Sequence, residues 1–293
     1  MKADVLVAEI GSTTTLINAF CGIRSGEPKF IGQGQAPTSV LEGDVCIGLN
    51  GAIEDLKANL GADKIEYGEM LATSSAAGGL RMCVHGLVYD MTVKAAEAAA
   101  LGAGAIVTMA TAGKLSEYDI EDLKEAKPNL ILLAGGTDYG EKETALFNAR
   151  MIAASGVKAP VIYAGNVQNK RAVEDIFQKA GISCTVTENV YPKLDKLNIE
   201  PARKIIHQVF EEHIIKAPGM EHIRDMVTGH IMPTPGAVME AVQLAYNEIG
   251  DVVAVDIGGA TTDVHSVTGG SEEIGILLTT PEPFAKRTVE GDL

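Results

Sequence analysis

The chain has no tryptophan, and aromatic residues make up only 4% of its 293 positions. The stacking platforms on which single-stranded nucleic acid is held are therefore scarce. Basic residues are also few: 24 Lys and Arg against 39 Asp and Glu give a formal charge of −15. Such a surface repels a phosphate backbone, so no nucleic-acid partner is expected. A small anionic ligand stays open, because backbone amides and a bound cation can hold phosphate without basic side chains. No apolar run approaches the roughly 20 residues of a membrane helix, so no membrane partner is expected. The segment Met1 to Glu9 is too short and too acidic for a signal peptide. Cys21, Cys46, Cys83 and Cys184 lack metal-ligand or redox spacing and read as reduced thiols of a cytoplasmic protein.

What is present is an ordinary globular balance of 46% hydrophobic and 22% charged residues, with 32 glycines gathered partly in tight clusters. Short apolar runs at 5–10, 15–21 and 29–35 predict a β-meander, and the spacing of Val45, Leu49, Ile53, Leu56 and Leu60 predicts a helix over 44–60. From Leu80 five strand-like runs alternate with helical ones, which predicts an inserted, doubly wound parallel α/β domain. Pro201–Ile215 predicts a helix leading out of it. The outer pattern resumes near residue 226. Pro233-Thr234-Pro235-Gly236 opens a helix to about Ile249, and a second meander follows with runs at 251–258, 263–267 and 273–278. The expected division is 1–79, 80–215 and 216–293.

Two loops carry the chemistry. One is Glu9-Ile10-Gly11-Ser12-Thr13-Thr14-Thr15; the other is Asp256-Ile257-Gly258-Gly259-Ala260-Thr261-Thr262-Asp263. Each places a carboxylate at the end of a buried strand, then small residues and hydroxyls, then a returning strand. Glycines let backbone N–H groups turn toward a phosphate, and hydroxyls add donors. A carboxylate so near phosphates is best explained by a Mg²⁺ ion with its waters. Two hairpins that merely need glycine would leave unexplained why an acid precedes the glycine in both.

The pair resembles the phosphate-1 and phosphate-2 motifs of the actin/Hsp70/sugar-kinase superfamily, and Ile231 to Val238 resembles its connecting helix. The chain is more closely similar to the glutamate mutase accessory proteins sometimes called MutL (unrelated to the mismatch-repair protein of that name). That match is carried by Glu9 to Thr15, Ala72 to Met82, Leu132 to Asp138 and the Asp256 loop. The resemblance implies an α/β protein with a ribonuclease H-like actin/Hsp70 ATPase fold, its second lobe incomplete. It also implies ATP or ADP with Mg²⁺ as cofactors. By that resemblance Glu9 and Asp256 face the metal, Gly11, Ser12, Thr13 and Thr14 wrap the terminal phosphates, and Gly258, Gly259, Thr261 and Thr262 surround the β- and γ-phosphates. Asp256 and Asp263 are the catalytic acids, Asp263 orienting the attacking water. Glu9 stands where Asp is usual, and Met232 stands where Hsp70-like members carry a Glu, which together imply slow hydrolysis.

The function implied is an ATP-dependent reactivating chaperone for an adenosylcobalamin-dependent mutase or aminomutase, releasing damaged cobalamin through nucleotide-driven domain motion. The alternatives are an ATP-dependent hydantoinase or oxoprolinase, a small-molecule kinase, or a nucleotide-binding scaffold without hydrolysis. Only about 30 residues follow Asp263, so a fragment of a longer protein is expected. Poor ATP affinity and self-association through open sheet edges follow from that expectation.

Three other features have bland readings. Gly135-Gly136-Thr137-Asp138 follows a buried strand, where ligands bind in doubly wound sheets, or where Asp138 simply caps a helix. His85 lacks the upstream Asp of cobalamin-ligating domains, so no cobalamin site is expected. His207 and His213 do not share a helix face, so no metal site is expected there.

Overall fold

The computed structural model describes residues 1–76, 79–214, 220–278 and 280–291. Strands β1 (Lys2–Ile10), β2 (Thr14–Cys21) and β3 (Lys29–Pro37) form an antiparallel meander. Helix α1 (Val45–Leu60) crosses it and leads to β4 (Glu66–Ser74), which pairs with β1 in parallel. The ends of α1 follow from its caps. Asp44 accepts the amide of Cys46, and Gly61 adopts the left-handed conformation (φ 59°) that closes the last turn. Leu49, Ala52 and Leu56 bury the inner face of the helix. It lies so close to β3 that a Cβ on Gly34 would collide with the Ala52 carbonyl.

A parallel sheet follows. Its elements are β5 (Arg81–Gly86), α2 (Lys94–Gly102), β6 (Ile106–Ala112), α3 (Glu117–Ala126), β7 (Leu130–Leu133), α4 (Glu143–Ala154), β8 (Val161–Tyr163), α5 (Lys170–Lys179) and β9 (Cys184–Val186). The strand order is β6-β5-β7-β8-β9, a doubly wound arrangement that switches direction between β5 and β7. Leu130, Ile131, Leu132 and Leu133 are all buried, as expected where helices cover both faces. A reciprocal box between Ser116 and Asp119 starts α3. A π-helical turn at Tyr89–Val93 precedes α2, where Thr92 Oγ1 accepts the amides of Leu87 and Val88.

Helices α6 (Glu200–Ile214) and α7 (Met220–Met226) lead to β10 (Ile231–Pro233), which adds to β4 in parallel and completes the first sheet in the order β10-β4-β1-β2-β3. Then α8 (Thr234–Ile249) packs beneath a second antiparallel meander, β11 (Val252–Ile257), β12 (Thr261–Val267) and β13 (Ala285–Gly291). The third strand is not at 273–278 as the sequence suggests. Ser271 caps Ile274 and starts a short helix, α9 (Glu272–Gly275), and the strand comes later. One apolar core runs from the first sheet through α2 and α6 to one face of the parallel sheet. A second lies on the opposite face of that sheet, and a third lies between α8 and the last meander.

Candidate functional site

The two glycine loops are the same turn made twice. Gly11 N donates to Thr14 O at 3.0 Å, and Gly258 N donates to Thr261 O at 2.9 Å. In each, the acid sits two residues further out on the ladder: Glu9 pairs with Leu16, and Asp256 pairs with Asp263. A Cβ on Gly11 would press on the Thr14 carbonyl, 2.6 Å away, so the first turn closes only around glycine.

Both turns face one cavity of about 480 Å³. Glu9, Gly11, Ser12, Thr13 and Thr14 line one side, and Asp256, Gly258, Gly259, Thr261 and Asp263 line the other. The loops touch where Gly259 meets Thr13. Thr262 does not line the cavity; strand alternation turns it to the face opposite Thr261 and Asp263. Burial, and next the charge of Asp256, raise the pKa of Glu9 above the ordinary carboxylate value. Two acids that repel each other across a cavity form a place that a cation would stabilise. The glycine cradles and the hydroxyls of Ser12, Thr13, Thr14 and Thr261 supply donors for an anion beside it, so the residues present fit a metal–phosphate pair.

Asp263 is differently placed. Its Oδ1 lies 2.6 and 2.7 Å from two nitrogens of Arg287, and its Oδ2 accepts from Thr261 Oγ1 at 3.2 Å. Arg287 also lines the cavity, and the sequence reading did not single it out. Thr234 and Pro233 close the floor, with Thr234 Oγ1 3.2 Å from Thr73 Oγ1, whereas Met232, between Ile231 and Pro233, does not line the cavity. Gly79, Gly104, Ile106 and Phe210 form an apolar wall contributed from outside both loops.

The remaining candidates lie elsewhere. Asp138 caps no α-helix: it accepts the amides of Val167 and Asn189 Nδ2 and so ties loops together at the carboxyl ends of the parallel strands. His85 is buried at the end of β5, with Nδ1 2.7 Å from Thr111 Oγ1 and Nε2 without a partner. Burial pushes its pKa down to about 4, against a smaller opposing effect of Asp119. His207 is a partly buried neighbour of Gly236, and the side chain of His213 lies outside the described residues, as do Ala77 and Gly78. Among the described residues no group of three His, Cys, Asp or Glu could hold a metal, and no helix is long and apolar enough to cross a membrane.

A solved structure of a glycerol dehydratase reactivase aligns with 98% of this chain and 43% of its own, at 10% identity and a TM-score of 0.16, too low to carry an argument. A protein of Clostridium tetanomorphum described as Protein MutL is 44% identical over 296 aligned positions, covering 98% of this chain and 63% of the relative. The chain thus spans less than two thirds of that relative's length. The family model described as MutL protein matches residues 5–293. With the match running over nearly the whole chain, the protein belongs to the MutL family.

Proposed function

We propose that the cavity binds the phosphates of an adenine nucleotide together with Mg²⁺, on an actin/Hsp70-type ATPase fold. The observation that carries this reading is the repetition: two turns closed by the same hydrogen bond, each preceded by an acid, face each other across one cavity. The order β3-β2-β1-β4-β10, with an antiparallel meander followed by parallel additions, supports the fold. So does a second meander with its own loop between the first two strands. Glu9 and Asp256 would hold the cation through its waters, and a bound Mg²⁺ would neutralise phosphate charge. Gly11 to Thr14 on one side, and Gly258, Gly259 and Thr261 on the other, would offer backbone and hydroxyl donors to phosphate oxygens. Held by Arg287, Asp263 is a weaker candidate for orienting water than its place in the loop implies.

Family membership supports an accessory role for glutamate mutase, and we extend it to the reactivation of an adenosylcobalamin-dependent mutase. The physical content is a nucleotide that bridges two loops from different sheets, so that its loss loosens them. Calorimetry tests the first step. Mg²⁺-dependent ATP binding that is lost in Glu9→Gln and Asp256→Asn is expected, and no binding by the parent chain sinks the reading. ATP-driven release of cobalamin from the mutase tests the second. Turnover of a small substrate without a mutase would favour an enzyme of the same fold instead.

A further inference from the structure

Arg287 touches two parts of the molecule that are remote in sequence. Besides its bonds to Asp263, its Nη1 donates to the carbonyls of Leu101 and Ala105, both at 3.1 Å. Leu101 lies in the last turn of α2, the negative end of that helix, where a guanidinium is favoured. Both members of the ion pair are buried, Asp263 at 3% and Arg287 at 4% exposure, so water does not screen the pair as it would on the surface. The same joint is clamped twice more. Arg203 of α6 occupies the space that a Cβ on Gly102 would need, and it donates to Ala285 O at 3.4 Å. Gly104, at φ 84°, packs on Pro233 and Gly236, and with Ile106 it forms part of the cavity wall.

A path of direct contacts therefore runs from the second loop to the parallel sheet. Thr261 closes the glycine turn with its carbonyl and binds Asp263 with its hydroxyl; Asp263 binds Arg287; Arg287 binds the end of α2. We propose that Arg287 is a positioning residue that couples Asp263 and the second loop to the α2–β6 joint, so that occupancy of the cavity alters the order of residues 101–106. The identity of the ligand rests on the nucleotide reading above; the linkage between Asp263 and α2 does not. A lysine cannot replace Arg287, because one ammonium cannot present a planar fork to a carboxylate and to two carbonyls at once.

Hydrogen exchange read by mass spectrometry on the 293-residue chain tests the coupling, using the parent, Asp263→Asn, Arg287→Lys and the double variant. Without ligand, Asp263→Asn is expected to speed exchange of 101–106 on the order of tenfold, while peptides of β2, β3 and α1 keep the parent rate. That increment is expected to vanish in the Arg287→Lys background. With Mg²⁺ and ATP, the parent gains protection at 101–106 and Arg287→Lys does not. Equal increments in both backgrounds, or ligand-induced protection untouched by Arg287→Lys, overturn the proposal. If Arg287→Lys fails to fold, Thr261→Val replaces it: loosening of 101–106 supports the coupling, and parent-like exchange there overturns it. Failure of the parent to bind ATP counts against the nucleotide reading, and the ligand-free comparison then decides the coupling by itself.

Discussion

Thr13 and Gly259 lie in the loops of different sheets, yet the side chain of Thr13 fills the space that any Cβ at residue 259 would require. The two loops are in contact there, and the absence of a side chain at 259 sets how closely they approach.

Gly259→Ala should therefore force the loops apart and weaken Mg²⁺–ATP binding by about tenfold, equivalent to ~1.4 kcal/mol. Thr13→Gly removes the obstructing atoms. In its presence the alanine should cost much less, measured by calorimetry against Thr13→Gly as the reference.

The Glu9–Asp256 pair predicts a pH dependence. Glu9 has a raised pKa when folded, so its contribution to stability is most favourable below its ordinary value near 4.5 and is lost as pH rises through the raised value. As pH rises, the growing charge on this acid opposes folding. Asp256→Asn removes the repulsion, so it should raise the melting temperature at pH 7 and flatten the decline on its acid side, while reducing any stabilisation by magnesium. Melting curves from pH 4 to 8, with and without the metal, check both arms.

His85 predicts the opposite slope. Its pKa falls from 6.5 to about 4 on burial, so the unfolded chain takes up the proton first as pH drops. Its contribution is fully present above 6.5 and is lost toward pH 4, with a size on the order of 3 kcal/mol. His85→Gln should be less sensitive to pH over that window, whatever its stability at pH 7, as measured by denaturant unfolding at each pH.

Gly34→Ala tests the packing of α1. The added methyl meets the Ala52 carbonyl and the Leu56 backbone, which flexible side chains cannot relieve. A loss of about 1–3 kcal/mol or more is expected from chemical denaturation, with little change in ligand contacts.

The apolar spacing over 44–60 made α1 readable from the sequence, and in the structure local caps set the helix ends. Asp44 and Gly61 bound α1, and Ser116 with Asp119 starts α3. The acid–glycine–hydroxyl pattern also pointed to the two turns that the fold brings to one cavity. β13 was hidden because its inward positions are Ala285, Arg287 and Val289, and an arginine in the middle breaks the apolar alternation. The partner Asp263, 24 residues away, together with the carbonyls of Leu101 and Ala105, makes that burial tolerable. Thr262 was legible as a hydroxyl but not as an outward one until the register of β12 was known.

The pairing of β10 with β4 has a consequence for how the chain is made. Thr73 and Thr234 are 161 positions apart, yet their hydroxyls lie 3.2 Å from each other where β10 meets β4. During synthesis the β4 edge must wait for the entire parallel unit to emerge before its neighbour arrives. Such a long wait makes the closing strand a late event and leaves an unpaired edge available for misassembly in the meantime. The segment 228–234, which closes that gap, is thus where a chaperone-dependent delay in biogenesis would be expected to show.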